Sequence, residues 1–107
     1  MKVPPERPWF NVWPEGVPRT INYPETPLYK LLKESAEKHP NKLAIEHEKD
    51  QISYEKLDVL SDKLVAALID LDIKKGSSVL IYLPNIPEFI ISYYAILKVG
   101  GVVSPAN

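Results

Sequence analysis

At 107 residues, with 45% apolar and 25% charged side chains, the chain has the length of one domain and an ordinary globular composition. Its 13 basic and 14 acidic residues leave a net charge of -1, which excludes the basic surplus of an electrostatic nucleic-acid binder. It has no cysteine, which excludes disulfide scaffolds, thiolate metal sites and cysteine nucleophiles, and only four glycines, too few and too scattered for a glycine-rich phosphate loop.

Pro4, Pro5, Pro8, Pro14, Pro18, Pro24 and Pro27 crowd the start of the chain. Residues 1–25 are therefore predicted as an extended arm, because closely spaced prolines oppose helix and interior strand. The arm also carries Trp9, Phe10, Trp13 and Tyr23. Aromatic side chains of that size bury against something, so the arm is expected to dock on a surface, of its own chain or of a partner. The N-terminus lacks the apolar run of a signal peptide, and no stretch is apolar for long enough to span a bilayer. A cytoplasmic location is expected.

Residues 26–107 are predicted as a partial α/β unit, cut off at its C-terminus. A first helix is expected over Pro27–His39, with Thr26 as N-cap, Pro27 at its first position and Leu28, Leu31, Leu32 and Ala36 on one face. Pro40 stops it. Leu43–Glu48 and Gln51–Tyr54 read as a short β-hairpin turning at Lys49-Asp50, with Leu43 and Ile45 on its inner face. A second helix over Tyr54–Leu71 is capped by Ser53 and carries the stripe Leu57, Leu60, Leu64, Leu68 and Leu71, supported by Ala67. After a turn at Lys74-Lys75-Gly76-Ser77, the run Ser78–Leu83 is apolar enough for a strand buried on both faces. Asn85 followed by Glu88 resembles a capping box for a third helix over Ile86–Val99, apolar over most of its circumference and so buried on more than one side. Gly100 suits a left-handed terminator, and Val102-Val103 begins a further strand. Strand, helix, strand over this distance is a βαβ unit with parallel strands.

No catalytic constellation emerges. His39 suits the negative end of a helix dipole and His47 lies in a polar hairpin beside Glu46 and Glu48; neither has partners at metal-ligand spacing. Glu46, Glu48 and Asp50 have no apolar surroundings to shift a pKa. Ser53, Ser77 and Ser78 follow no nucleophile-elbow pattern. Lys74-Lys75-Gly76 reads as a solvated turn. Gly100-Gly101 follows a helix instead of preceding one, and Pro87 removes a donor from the helix start at Asn85-Ile86. No catalytic, cofactor-binding or metal residue is therefore assigned, and from the residues alone an interaction module and part of an enzyme are equally open.

Four stretches in order nevertheless carry a resemblance: WPEGVPRTINYP, then PLYKLLKESAEKHPNKLAIE, then ISYEKLDVLSDKLVAAL, then GSSVLIYLPNIPEFIISYYAILKVGGVVSPAN. Together they resemble the beginning of the AMP-forming acyl-CoA synthetases, in the adenylate-forming ligase superfamily, and the opening is similar to the medium- and long-chain fatty acyl-CoA ligase branch. The resemblance implies the N-terminal part of the large domain of such an enzyme. It assigns scaffold roles to Tyr54 and Leu57 in seating the second helix, Asn85 in capping the third, Gly100 in ending it, and Pro105 after the final strand. Asp72 stands where the family usually has Gly, Ser77 where it has Asp, Gly101 where it has Ala, and Ser104-Pro105 where it has a more apolar pair. The intact enzyme would use ATP, magnesium and CoA on a fatty acid. Its phosphate loop, acidic magnesium contact and adenylation lysine would lie downstream. The 107 residues are then expected to bind no cofactor, to be catalytically silent, to need the remainder of the parent enzyme, and to self-associate when alone.

Overall fold

A computed structural model describes residues 7–106. The expectations for Pro4 and Pro5, and for the end of the chain at Asn107, lie outside the described residues. The elements in order are a 3₁₀ turn over Pro8–Val12, α1 (Leu28–Lys38), β1 (Leu43–His47), β2 (Asp50–Ser53), α2 (Tyr54–Asp70), β3 (Ser78–Tyr82), α3 (Pro87–Lys98) and β4 (Val102–Ala106). β1 and β2 pair antiparallel, β3 and β4 pair parallel, and α3 is the crossover between the parallel strands.

Two small cores share α2 and α3. Leu68, Ile81, Ala95 and Ile96 form one beneath the parallel pair. Leu32, Ile52 and Leu57 form the other between α1 and the hairpin. α3 serves both, placing Ile90, Ile91 and Tyr94 on the hairpin side and Phe89, Tyr93 and Val99 on the parallel side. That double duty is why its sequence is apolar nearly all round.

Helix starts differ from expectation where proline intervenes. Pro27 has φ -59 and ψ 144, which is extended, so α1 begins one residue later with Pro27 at the cap position. Thr26 makes no capping bond; the Pro27 carbonyl instead accepts from Lys30 N–H at 3.0 Å. α3 is capped by Ile86 with Pro87 at its first position, so Asn85 is not its cap. Ser53 does cap α2, its hydroxyl accepting from Lys56 N–H at 3.2 Å.

α2 and α3 end alike. Asp72 has φ 64, with Asp72 N–H donating to Ile69 O and Ile73 N–H to Leu68 O; Gly100 has φ 82, with Gly100 N–H donating to Leu97 O and Gly101 N–H to Ile96 O. Both are Schellman ends with a left-handed residue just past the helix. Ile73 packs against the core containing Leu68, the hydrophobic contact that accompanies this motif. Asp72 therefore occupies a position whose backbone geometry favours glycine, and Asp is among the few residues that tolerate it.

Other side chains fall differently from the periodicity. Leu71 is exposed and Ala67 lies outside the core, while Ser61 is fully buried, so the inner stripe of α2 is centred on Leu57, Ser61 and Leu68. The hairpin turns at Glu48-Lys49, with Glu48 at φ 54, and Asp50 already belongs to β2. A bulge at Ala44 breaks the alternation and leaves Leu43 exposed. Leu28 and Leu31 are also substantially exposed on α1.

β3 is not buried on both faces. Val79 and Ile81 point to the helices, while Leu80 and Tyr82 are exposed, because the helices cover one face only of the β3–β4 pair. Pro105 lies inside β4, opposite Ile81, and not after it.

The arm is partly turned and partly extended. Pro8 opens its 3₁₀ turn, where a missing N–H costs nothing. Phe10 meets Trp9 and Trp13 edge-on at 6.3 and 5.3 Å between ring centroids, Arg19 sits 4.7 Å over Phe10, and Trp13 Nε1 donates to Val17 O. Among the described arm residues, 7–25, none lies in either core; Trp9, Phe10 and Trp13 pack on one another and Tyr23 is exposed.

Candidate functional site

The best-connected polar group joins α2 to α3. Asp58, Ser61 and Asp62 lie three and four residues apart, one turn of α2, and so share a face. Lys98, in the last turn of α3, reaches across to them. Its Nζ donates to Asp58 Oδ1 at 2.6 Å, Ser61 Oγ at 2.7 Å, Asp62 Oδ1 at 2.8 Å and Asp58 O at 3.2 Å. The Lys98 side chain is 5% exposed, Asp58 18% and Asp62 51%. Ser61 Oγ in turn donates to Asp58 O at 2.9 Å. The network is fully satisfied, as a buried ammonium requires. Its paired charges join two helices, which is the behaviour of a structural pin.

Sequence reading missed this group. Lys98 enters the sequence analysis only inside the stretch GSSVLIYLPNIPEFIISYYAILKVGGVVSPAN, and Asp58, Ser61 and Asp62 only inside ISYEKLDVLSDKLVAAL. The Asp58/Ser61/Asp62 spacing is visible in the sequence, but the partner that makes it meaningful lies 36 to 40 residues away.

A cleft of about 470 Å³ opens at the carboxyl ends of β3 and β4, lined by Leu83, Pro84, Asn85, Phe89, Pro105 and Ala106. Ligands of open α/β sheets bind at that end of the strands. No lining residue is an acid, a base or a nucleophile, so the cleft can contact a ligand but cannot move its protons or attack it. The turn at Lys74–Ser77 is closed on itself: Lys74 N–H donates to Ser77 Oγ, Ser77 N–H to Lys74 O and Gly76 N–H to Gly100 O. The amides that a phosphate would need there are already committed, and Pro87 leaves the start of α3 short of a donor. These residues do not fit a magnesium–nucleotide site.

Two of the other sequence candidates share a cleft: Glu46 and His47 line one of about 350 Å³ together with Asn85, Ile86, Pro87 and Phe89. His39 follows α1 as its C-cap, and Glu48 and Asp50 lie at the hairpin turn, with Asp50 opposite His47 in the strand register. Among the described residues no three His, Cys, Asp or Glu side chains converge to hold a metal. Tyr94, on the hairpin side of α3, has its phenol pushed above the ordinary value by burial, with Tyr93 and Tyr54 adding to the effect. No helix among the described residues is long and apolar enough to cross a membrane.

With that geometry in view, the family description of AMP-binding enzymes matches residues 32–107, both cores and the whole βαβ unit. The chain belongs to the AMP-binding enzyme family. Among curated relatives, this AMP-binding chain is 35% identical over 104 residues to a long-chain-fatty-acid–CoA ligase of Bacillus subtilis (strain 168), covering 95% of the chain and 18% of the relative. It is 39% identical over 90 residues to acetyl-coenzyme A synthetase 1 of Candida albicans, covering 78% of the chain and 13% of the relative. Among solved structures, the N-terminal subdomain of Klebsiella oxytoca NpsA superposes with a TM-score of 0.72 at 28% identity, over 75% of this chain and 21% of that one. The AMP-binding chain thus spans about a fifth or less of the proteins it matches.

Proposed function

We propose that these residues are an N-terminal scaffold segment of an adenylate-forming ligase, with residues 1–25 as an arm and 26–107 as part of the large domain. The observation that carries the reading is the family match over residues 32–107, in a chain that spans 18% of the fatty-acid ligase it is similar to. The parent enzyme activates a carboxylic acid in two steps. The carboxylate oxygen attacks the α-phosphorus of ATP, forming acyl-adenylate as pyrophosphate leaves. The CoA thiolate then attacks the acyl carbon and AMP leaves. Magnesium would offset charge on the phosphates in residues beyond this segment. Within that reaction the segment supplies a wall, through the cleft around Asn85 and Phe89, and a rigid base, through the Lys98 pin.

For the acid we propose a fatty acid. The support is the reach of the alignment: the fatty-acid ligase aligns over 95% of the chain, arm included, against 78% for the acetyl synthetase. The test is pyrophosphate exchange into ATP by the product of the whole reading frame, offered acetate, medium- and long-chain fatty acids, and amino acids. Exchange driven by the fatty acids is expected. Exchange driven by acetate or amino acids alone would overturn the substrate, and none with any acid would overturn the reading as a whole.

A further inference from the structure

We draw no further inference here: the strongest candidate, the cleft between β1 and the start of α3 that Glu46 and His47 line with Asn85 and Phe89, lies on a segment spanning 18% of the fatty-acid ligase it is similar to, and nothing in the structure shows what covers it.

Discussion

Replacing Lys98 with methionine keeps the apolar stem of the side chain and deletes its charge, which isolates what the ammonium does. Lys98 is almost wholly enclosed and holds four oxygens; Asp62 is half in water and Asp58 mostly enclosed. The Asp62 contact behaves as a surface pair, worth at most about 1 kcal/mol. The Asp58 contact behaves as a buried one, and removing one partner of a buried pair costs about 3–5 kcal/mol because the other charge is left unpaired. Water reaches part of Asp58, so the expected loss for Lys98→Met sits at the low end, about 3 kcal/mol. For a domain of this size that is a fall in melting temperature of roughly 15 °C. Urea unfolding followed by dichroism reads it as a lower midpoint at unchanged slope. The double variant Asp58→Asn, Lys98→Met removes both charges and should recover part of the loss. A Lys98→Met chain within about 0.5 kcal/mol of the unaltered one would refute the assignment of Lys98 as the pin, since that is the spread of ordinary surface substitutions.

Three further outcomes follow from local geometry. Ser53→Ala removes the hydroxyl that caps α2 and should cost about 1 kcal/mol in the same urea assay. Asp72→Val puts a β-branched residue at φ 64 and should cost about 1–2 kcal/mol, while Asp72→Gly is tolerated. The Tyr94 phenol is raised by burial, so above about pH 10 the unfolded chain releases that proton before the folded one. Its contribution to stability is complete below that pH and is lost as pH climbs through the higher folded value. Absorbance titration near 295 nm should show a late phenol that disappears in Tyr94→Phe, together with part of the alkaline loss of stability.

Features set by neighbouring residues were the ones legible in the sequence. The Ser53 cap, the left-handed Gly100 and the parallel pair around α3 each need only a few adjacent side chains to specify them. The two-sided burial of α3 was also readable, because its apolar circumference leaves few alternatives. What escaped depends on partners distant in the chain. Ser78–Leu83 is apolar on both faces, and only the placement of α2 and α3 decides that Ile81 is inside and Leu80 outside. Lys98 is an ordinary C-terminal helix lysine until Asp58 and Asp62 are brought beneath it. Proline misled at both helix starts: Pro27 is itself extended, and Pro87 moved the cap from Asn85 to Ile86. In the arm, Trp9 and Trp13 pack edge-on against Phe10, a local arrangement that aromatic size alone did not specify.

The central claim is that this segment is scaffold, with the reacting groups elsewhere in an adenylate-forming ligase. Pyrophosphate exchange into ATP by the purified 107-residue chain, with a long-chain fatty acid and magnesium, tests it most directly. Exchange indistinguishable from a no-protein blank is expected, beside robust exchange by the product of the whole reading frame. Fatty-acid-dependent exchange by the 107 residues alone would contradict it.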